Sequence, residues 1–181
     1  MALRTGLRQG EILALEWGDI DSHGGFIEVR RTNYLGHIGT PKNGKTRRVD
    51  MSDGLREALA HHKQVLAAEA LAAGKSMAEW VFPNEGGKPF WAPNLRKRFD
   101  TCLRKAGLRR VPFHALRHSY ASALIALGEP LAYVQAQLGH ASIAQTVDTY
   151  GHMIEGANRK ALNRLDDLGK PATPAQPAVS W

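Results

Sequence analysis

The stretch HALRHSYASALIALG, residues 114–128, decides how the rest of the chain is read. It reads as a helix ended by Gly128. On a helix, residues three and four apart share a face, so His114, Arg117 and His118 point the same way. A guanidinium offers a planar fork of donors matched to two phosphate oxygens, and a neighbouring imidazole can give or take a proton near pH 7. A second forked donor would make a clamp. Downstream wait a Gly-His pair, Gly139-His140, and a tyrosine, Tyr150.

Two more helical segments follow the first. Pro130 opens LAYVQAQLG in a favoured first-turn position, and Ser142 caps IAQTVDTY. A further run, GANRKALNRLDDLG, completes the folded part, and the tail KPATPAQPAVSW, with three prolines and no periodicity, is expected to be disordered or partner-dependent. Upstream, Asn94 opens a strongly basic helix, LRKRFDTCLRKAG, stopped by Gly107. Before it, Ser52 caps a helix through LREALAHHKQVLAAEALAA, with Leu55, Leu59, Leu66 and Ala70 along one stripe and Gly74 at its end. FIEVRRT (26–32) and TRRVDM (46–51) are strand-like and joined through PKNGK, whose Asn43-Gly44 signals a hairpin with a basic tip. A short helix around Leu7 to Leu15 comes first. The order of helix, hairpin, then many helices predicts a mainly helical α+β domain with a small antiparallel sheet.

Bulk composition constrains partners. The 181 residues are 43% apolar, enough for a proper core, and carry 24 Lys+Arg against 17 Asp+Glu, a formal charge of +7. With a pI near 9.8, polyanions are the natural partners. The single cysteine, Cys102, excludes an intramolecular disulfide framework and fits a reducing compartment; its helical context predicts a small buried apolar residue. The start MALRTGLRQGE lacks a signal-peptide core, and no apolar run approaches the ~20 residues needed to span a bilayer, so a cytoplasmic protein without a membrane partner is expected.

Five blocks, in order, resemble the tyrosine recombinase or phage-type integrase family: TGLRQGEILALEWGDID, PKNGKTRRV, HALRHSYAS, LGHAS and TVDTYGH, together spanning residues 5–152. The resemblance implies that fold and a catalytic set of Arg8, Lys42, His114, Arg117, His140 and Tyr150. Tyr150 would attack a DNA phosphate and become linked to the 3′ end, with Arg8 and Arg117 on the non-bridging oxygens and His140 hydrogen-bonded to the phosphate. His114 would assist proton transfer at the nucleophile, Lys42 would protonate the departing 5′ oxygen, and Glu11 would support Arg8. It further implies a prokaryotic or phage-encoded, nucleoid-associated enzyme on double-stranded DNA, monomeric when free and a homo-tetramer on DNA through exchange of a carboxyl-terminal helix. Residues 1–168 would form the catalytic domain and 169–181 a flexible tail. The family's amino-terminal domain and the first helix of its catalytic domain have no counterpart before Arg8, so a truncated, non-catalytic DNA-binding remnant is the alternative expectation.

The residues themselves make sense of that set. A free tyrosine has a pKa of about 10, so about one in 1,000 is ionised at pH 7, and it needs a base or strong local positive charge to attack. Two arginines and a lysine supply the charge, and the same cations stabilise the phosphoryl oxygens in the transition state. No cofactor is expected. His114 and His118 have the spacing of a helical zinc site, but HALRH lacks the glutamate of HExxH and Arg117 would repel a cation, so no metal site is expected either. His118 reads as a supporting residue that packs or hydrogen-bonds beneath the site. Lys45 competes with Lys42, since one register slip at the hairpin tip exchanges them. Lys45, Arg47, Arg96, Lys97, Arg98 and Arg104 are the candidate DNA-contacting cations, read as phosphate-tracking groups that set position and not sequence.

Overall fold

A computed structural model describes residues 1–41 and 44–151 of the chain. The chain begins as two very short helices, α1 (Ala2–Thr5) and α2 (Gln9–Leu13), in place of the single one expected. Gly6 separates them: it ends α1 in the left-handed region (φ 61°), where only glycine is unstrained, and so frees Arg8 to stand outside α2 as its N-cap. A 3-10 turn at Trp17–Asp19 then leads into strands.

The central sheet is antiparallel in the order β1 (Ile20–Asp21), β2 (Phe26–Val29), β5 (Arg47–Asp50). Its register pairs Ile27 with Val49 and Val29 with Arg47. The two strands read from sequence therefore do pair, but not across a tight Asn-Gly hairpin. Between them the chain makes a separate hairpin, β3 (Thr32–Tyr34) with β4 (His37–Gly39). Its turn places Leu35 (φ 50°) and Gly36 (φ 91°) in the left-handed region, a two-residue hairpin turn in which Leu35 takes a position that asparagine or aspartate usually fills. The Asn33 side chain accepts from Gly36 N–H at 2.9 Å and holds the turn. Asn43 and Lys42 of the expected tip lie outside the described residues.

Helix α3 (Asp53–Ala72) follows Ser52 and ends before Gly74, with Leu55 and Leu59 buried on the stripe that faces the sheet. Ile27, Val29 and Val49, alternate residues of β2 and β5, join them with Leu7, Ile12 and Val81 in the first core. Helix α4 (Ala92–Lys105) starts two residues before Asn94, with Pro93 in its first turn. No residue of α4 is fully buried, and Cys102 is exposed, contrary to the buried role expected of it; the half-buried apolar stripe of the helix runs through Leu95, Phe99 and Leu103, and Cys102 falls off that stripe.

Helices α5 (Ala115–Ala126), α6 (Leu131–Leu138) and α7 (Ile143–Tyr150) pack together around a second core of Tyr120, Ala121, Val134, Leu138 and Tyr150. Pro130 is the N-cap of α6, and the Ser142 hydroxyl caps α7 by accepting from Gln145 N–H. α5 lies against α1, and α6 against β5, so the two cores meet along the seam where the conspicuous polar residues gather. Among the described residues no helix is long and apolar enough to cross a membrane. The run GANRKALNRLDDLG and the tail lie outside the described residues.

The Gly6 seam gives a direct test. A Cβ at Gly6 would come within 2.4 Å of the Tyr120 ring, and its backbone would be strained as well. Gly6→Ala should lower the urea midpoint, by a loss of about 1–3 kcal/mol typical of overpacked cores; an unchanged midpoint would show that α1 and α5 are not locked at this point.

Candidate active site

Arg8 caps α2, and Glu11, three residues on, reaches back beneath it. The Glu11 side chain is 1% exposed, yet its carboxylate is saturated. It accepts from the Arg8 backbone N–H (2.8 Å) and from Arg8 Nη1 (3.1 Å). Arg47 of β5 then lays a two-pronged fork on the same group, at 2.9 and 2.8 Å. Burial alone would raise the Glu11 pKa; the Arg47 fork, followed by Arg8, outweighs it and holds the carboxyl below its ordinary range.

Arg47 was expected among the DNA-contacting residues, but the structure turns it inward. Its side chain is only 10% exposed, and its Nε donates to the Gln137 carbonyl at 3.1 Å. The reason is strand periodicity: Arg47 lies two residues before buried Val49 and shares its face. That signal was present in TRRVDM. Lys45 and, on α4, Arg96, Lys97, Arg98 and Arg104 are exposed. Lys42 lies outside the described residues.

Arg117 projects from α5 into the seam and is 2% exposed. It donates through Nη1 to the Gly6 carbonyl and through Nη2 to the Leu138 carbonyl, both at 2.6 Å, tying α5 to the α1–α2 turn and to the end of α6. Burial, then the nearby Arg8, pushes its pKa down to about 10, so it stays charged at neutral pH. These two bonds use two of the five N–H donors of a guanidinium, leaving donors for a ligand.

Gly139, also left-handed (φ 64°), ends α6 and delivers His140 beside Arg117. The His140 Nδ1 lies 2.9 Å from the hydroxyl of Thr146, a fully buried residue that sequence reading did not single out. Burial, then Arg117, Arg8 and Arg47, pushes the His140 pKa down to about 4. The ring is therefore neutral at pH 7, and in the tautomer whose Nδ1 accepts from the Thr146 hydroxyl it presents Nε2–H as a donor. His114, the N-cap of α5, is likewise lowered by burial and by His118, Arg117 and Arg8.

Arg8, His114, Arg117 and His140 line one cleft of about 450 Å³, together with Gly139, Ala141 and Gln145. The structure thus brings four of the expected catalytic residues to a single cavity. Tyr150 does not line this cleft: it is 4% exposed in the second core, and its hydroxyl is 2.8 Å from Nδ1 of His118. Burial raises the Tyr150 pKa, and the charge on Arg117 opposes that rise. His114 meets the His118 ring edge-on at 4.9 Å. Among the described residues no group of three or more His, Cys, Asp or Glu side chains is placed to hold a metal ion.

A cleft of fixed guanidinium and neutral imidazole donors has the chemistry to hold an anion such as a phosphate ester. Comparison with known proteins gives the family. The Phage integrase family matches residues 1–155. The chain is 34% identical to the tyrosine recombinase XerC-like protein of Caldanaerobacter subterraneus subsp. tengcongensis, covering 93% of this chain and 48% of that protein. It is 30% identical to the prophage integrase IntR of Escherichia coli, covering 91% of this chain and 44% of the relative. The fold matches that of the Tn1549 transposon integrase, solved in complex with a circular intermediate DNA, with a TM-score of 0.70 at 20% identity over 92% of this chain and 56% of the other. The chain belongs to the phage integrase family of tyrosine recombinases. It spans about half the length of the curated relatives it matches.

Two outcomes test the site's construction. Glu11→Ala leaves Arg47 buried and unpaired and should cost about 3–5 kcal/mol in urea unfolding, against near-neutrality if the pair were a surface ornament. Histidines whose folded pKa lies below the unfolded value of about 6.5 take up protons on unfolding, so the fold should lose stability as pH falls from about 6.5 towards 4. His140→Gln should flatten part of that decline in urea midpoints measured at pH 7, 5.5 and 4.5; a decline of equal steepness would remove His140 from the explanation.

Proposed function

We propose that the chain is the catalytic portion of a site-specific DNA recombinase or integrase, cleaving and rejoining strands through a 3′-phosphotyrosyl intermediate. The observation that carries this reading is the meeting of Arg8 and Arg117, from opposite parts of the chain, in one cleft with His114 and His140. In this role Arg8 and Arg117 bind the non-bridging oxygens of the scissile phosphate and His140 donates to it through Nε2. Tyr150 attacks phosphorus, the bond to the 5′ oxygen breaks, and Lys42 supplies the proton that this oxygen needs. Fixed cations next to the phosphate do work that water would otherwise have to do by reorganising. Resealing by a 5′ hydroxyl of another strand needs no external energy, because the phosphotyrosine keeps the ester bond.

Arg47 and Glu11 hold the clamp in shape and do not meet the substrate. Exposed cations of α4 and Lys45 track the duplex backbone, and the working assembly is a tetramer on double-stranded DNA. A second reading, a DNA-binding remnant without catalysis, draws on the burial of Tyr150 and its absence from the cleft lining.

One experiment separates them. A duplex selected from a random library by its affinity for the protein, nicked near the bound site and end-labelled, should yield a covalent adduct that survives denaturant and forms in a metal chelator. Tyr150→Phe should abolish the adduct while duplex affinity stays within about twofold. Tight binding by the unaltered protein with no adduct on any nicked position would favour the remnant.

A further inference from the structure

The cleft leaves one step without a partner. The phenol of Tyr150 must lose a proton as its oxygen bonds to phosphorus, and His114, in the cleft, meets Tyr150 only across the ring of His118. We propose that His118 is the catalytic group that accepts the Tyr150 proton during attack and returns it when the strand is rejoined. This rests on the strand-transfer reading above and adds to it the identity of the proton acceptor.

Three observations converge on His118. Its Nδ1 is 2.8 Å from the Tyr150 hydroxyl, a direct hydrogen bond between the imidazole and the reacting oxygen. Tyr150 is buried, and burial raises its pKa against the opposing charge of Arg117, so the reacting group carries a proton that a base in contact with it can accept. His118 itself is exposed, so a proton taken on Nδ1 can leave through Nε2 to water without crossing the cationic cleft. The charged and titratable neighbours fit the direction of transfer. Arg117 on α5 favours phenolate, His114 is the other titratable group of that helix turn, and Arg8 stands across the cleft from α2.

The step balances. The Tyr150 oxygen–phosphorus bond forms, the phosphorus–5′ oxygen bond breaks, the phenolic proton passes to Nδ1 of His118, and the 5′ oxygen takes its proton from the lysine general acid. In rejoining, the 5′ hydroxyl returns its proton to the lysine as it attacks phosphorus, the phosphotyrosine bond breaks, and the His118 Nδ1–H protonates the departing phenolate. His118 therefore serves both half-reactions by alternating its two tautomers.

A purely structural pin between α5 and α7 would make the same hydrogen bond, so the test must tell a proton acceptor from a hydrogen-bond partner. Single-turnover adduct formation is measured on the selected nicked duplex from pH 6 to 9 for the unaltered protein, His118→Gln and His118→Phe. Glutamine can accept the hydrogen bond but cannot hold the proton. Both variants should bind the duplex within about twofold of the unaltered protein and cleave about 100-fold or more slowly at pH 7. Their rates should climb with pH, because phenolate must then form without a local acceptor. Cleavage by His118→Gln at the unaltered rate and pH profile would overturn the proposal. Histidine ¹⁵N resonances supply an arm that needs no DNA: at pH 7 the His118 Nδ1 should be the unprotonated acceptor and should shift in Tyr150→Phe. An Nδ1 signal indifferent to Tyr150→Phe overturns the proposal too, whereas absence of any adduct with the unaltered protein counts against strand transfer itself.

Discussion

A buried carboxylate makes the site possible. Arg8, Arg47 and Arg117 converge on one seam, and three guanidinium groups that close would repel one another in a medium of low dielectric. Glu11 answers two of them with three hydrogen bonds at 3.1 Å or less and accepts a fourth from the Arg8 backbone N–H. The same pairing explains why Arg8 remains at the cleft: its backbone N–H and one Nη are fixed by Glu11, so the guanidinium is pre-aimed and loses little freedom on meeting an anion. Three cations and one anion leave a surplus of positive charge. A phosphodiester, with a single negative charge, fits that surplus.

Arg117 works by a different device. Its two carbonyl partners, Gly6 and Leu138, belong to backbone turns made by left-handed glycines or lying next to one. Gly6 must lack a side chain because Tyr120 occupies the space, and Gly139 because the Arg47 side chain passes 2.7 Å from where its Cβ would be. So the two glycines bring backbone carbonyls to one arginine and backbone surface to another. A helix, a turn and a strand are thereby joined at one point beside the cleft.

Much of this was legible in the residues, and the gaps have physical causes. The helical faces were readable because apolar spacing and end signals agree, as with Leu55 and Leu59 between Ser52 and Gly74. The His114–Arg117 pair was readable from helix geometry alone. The β3–β4 hairpin was not, because Leu35 gives no sign that its backbone will adopt positive φ; the Asn33 bond and a following glycine stabilise it locally. Arg47 was expected at the surface because charge was taken to mean exposure, although its shared face with Val49 placed it inside. Thr146 and His118 could not be assigned partners from spacing, since each contact is set by how α5, α6 and α7 pack and not by position within one helix.

The arrangement of α7 links these parts. One face of this eight-residue helix carries Thr146, whose hydroxyl meets the ring of His140 at the cleft, and its last residue is Tyr150, held by His118. Four residues separate the two, about one helical turn, so a single segment positions both the ring of His140 and, on the proposed reading, the nucleophile. Movement of α7 that brings the phenol forward must also pull on His140 through Thr146. On the proposed strand-transfer reading, anion binding and nucleophile position would be coupled through Thr146, and a phosphate that tightens His140 in the cleft would bias the helix that carries the attacking oxygen.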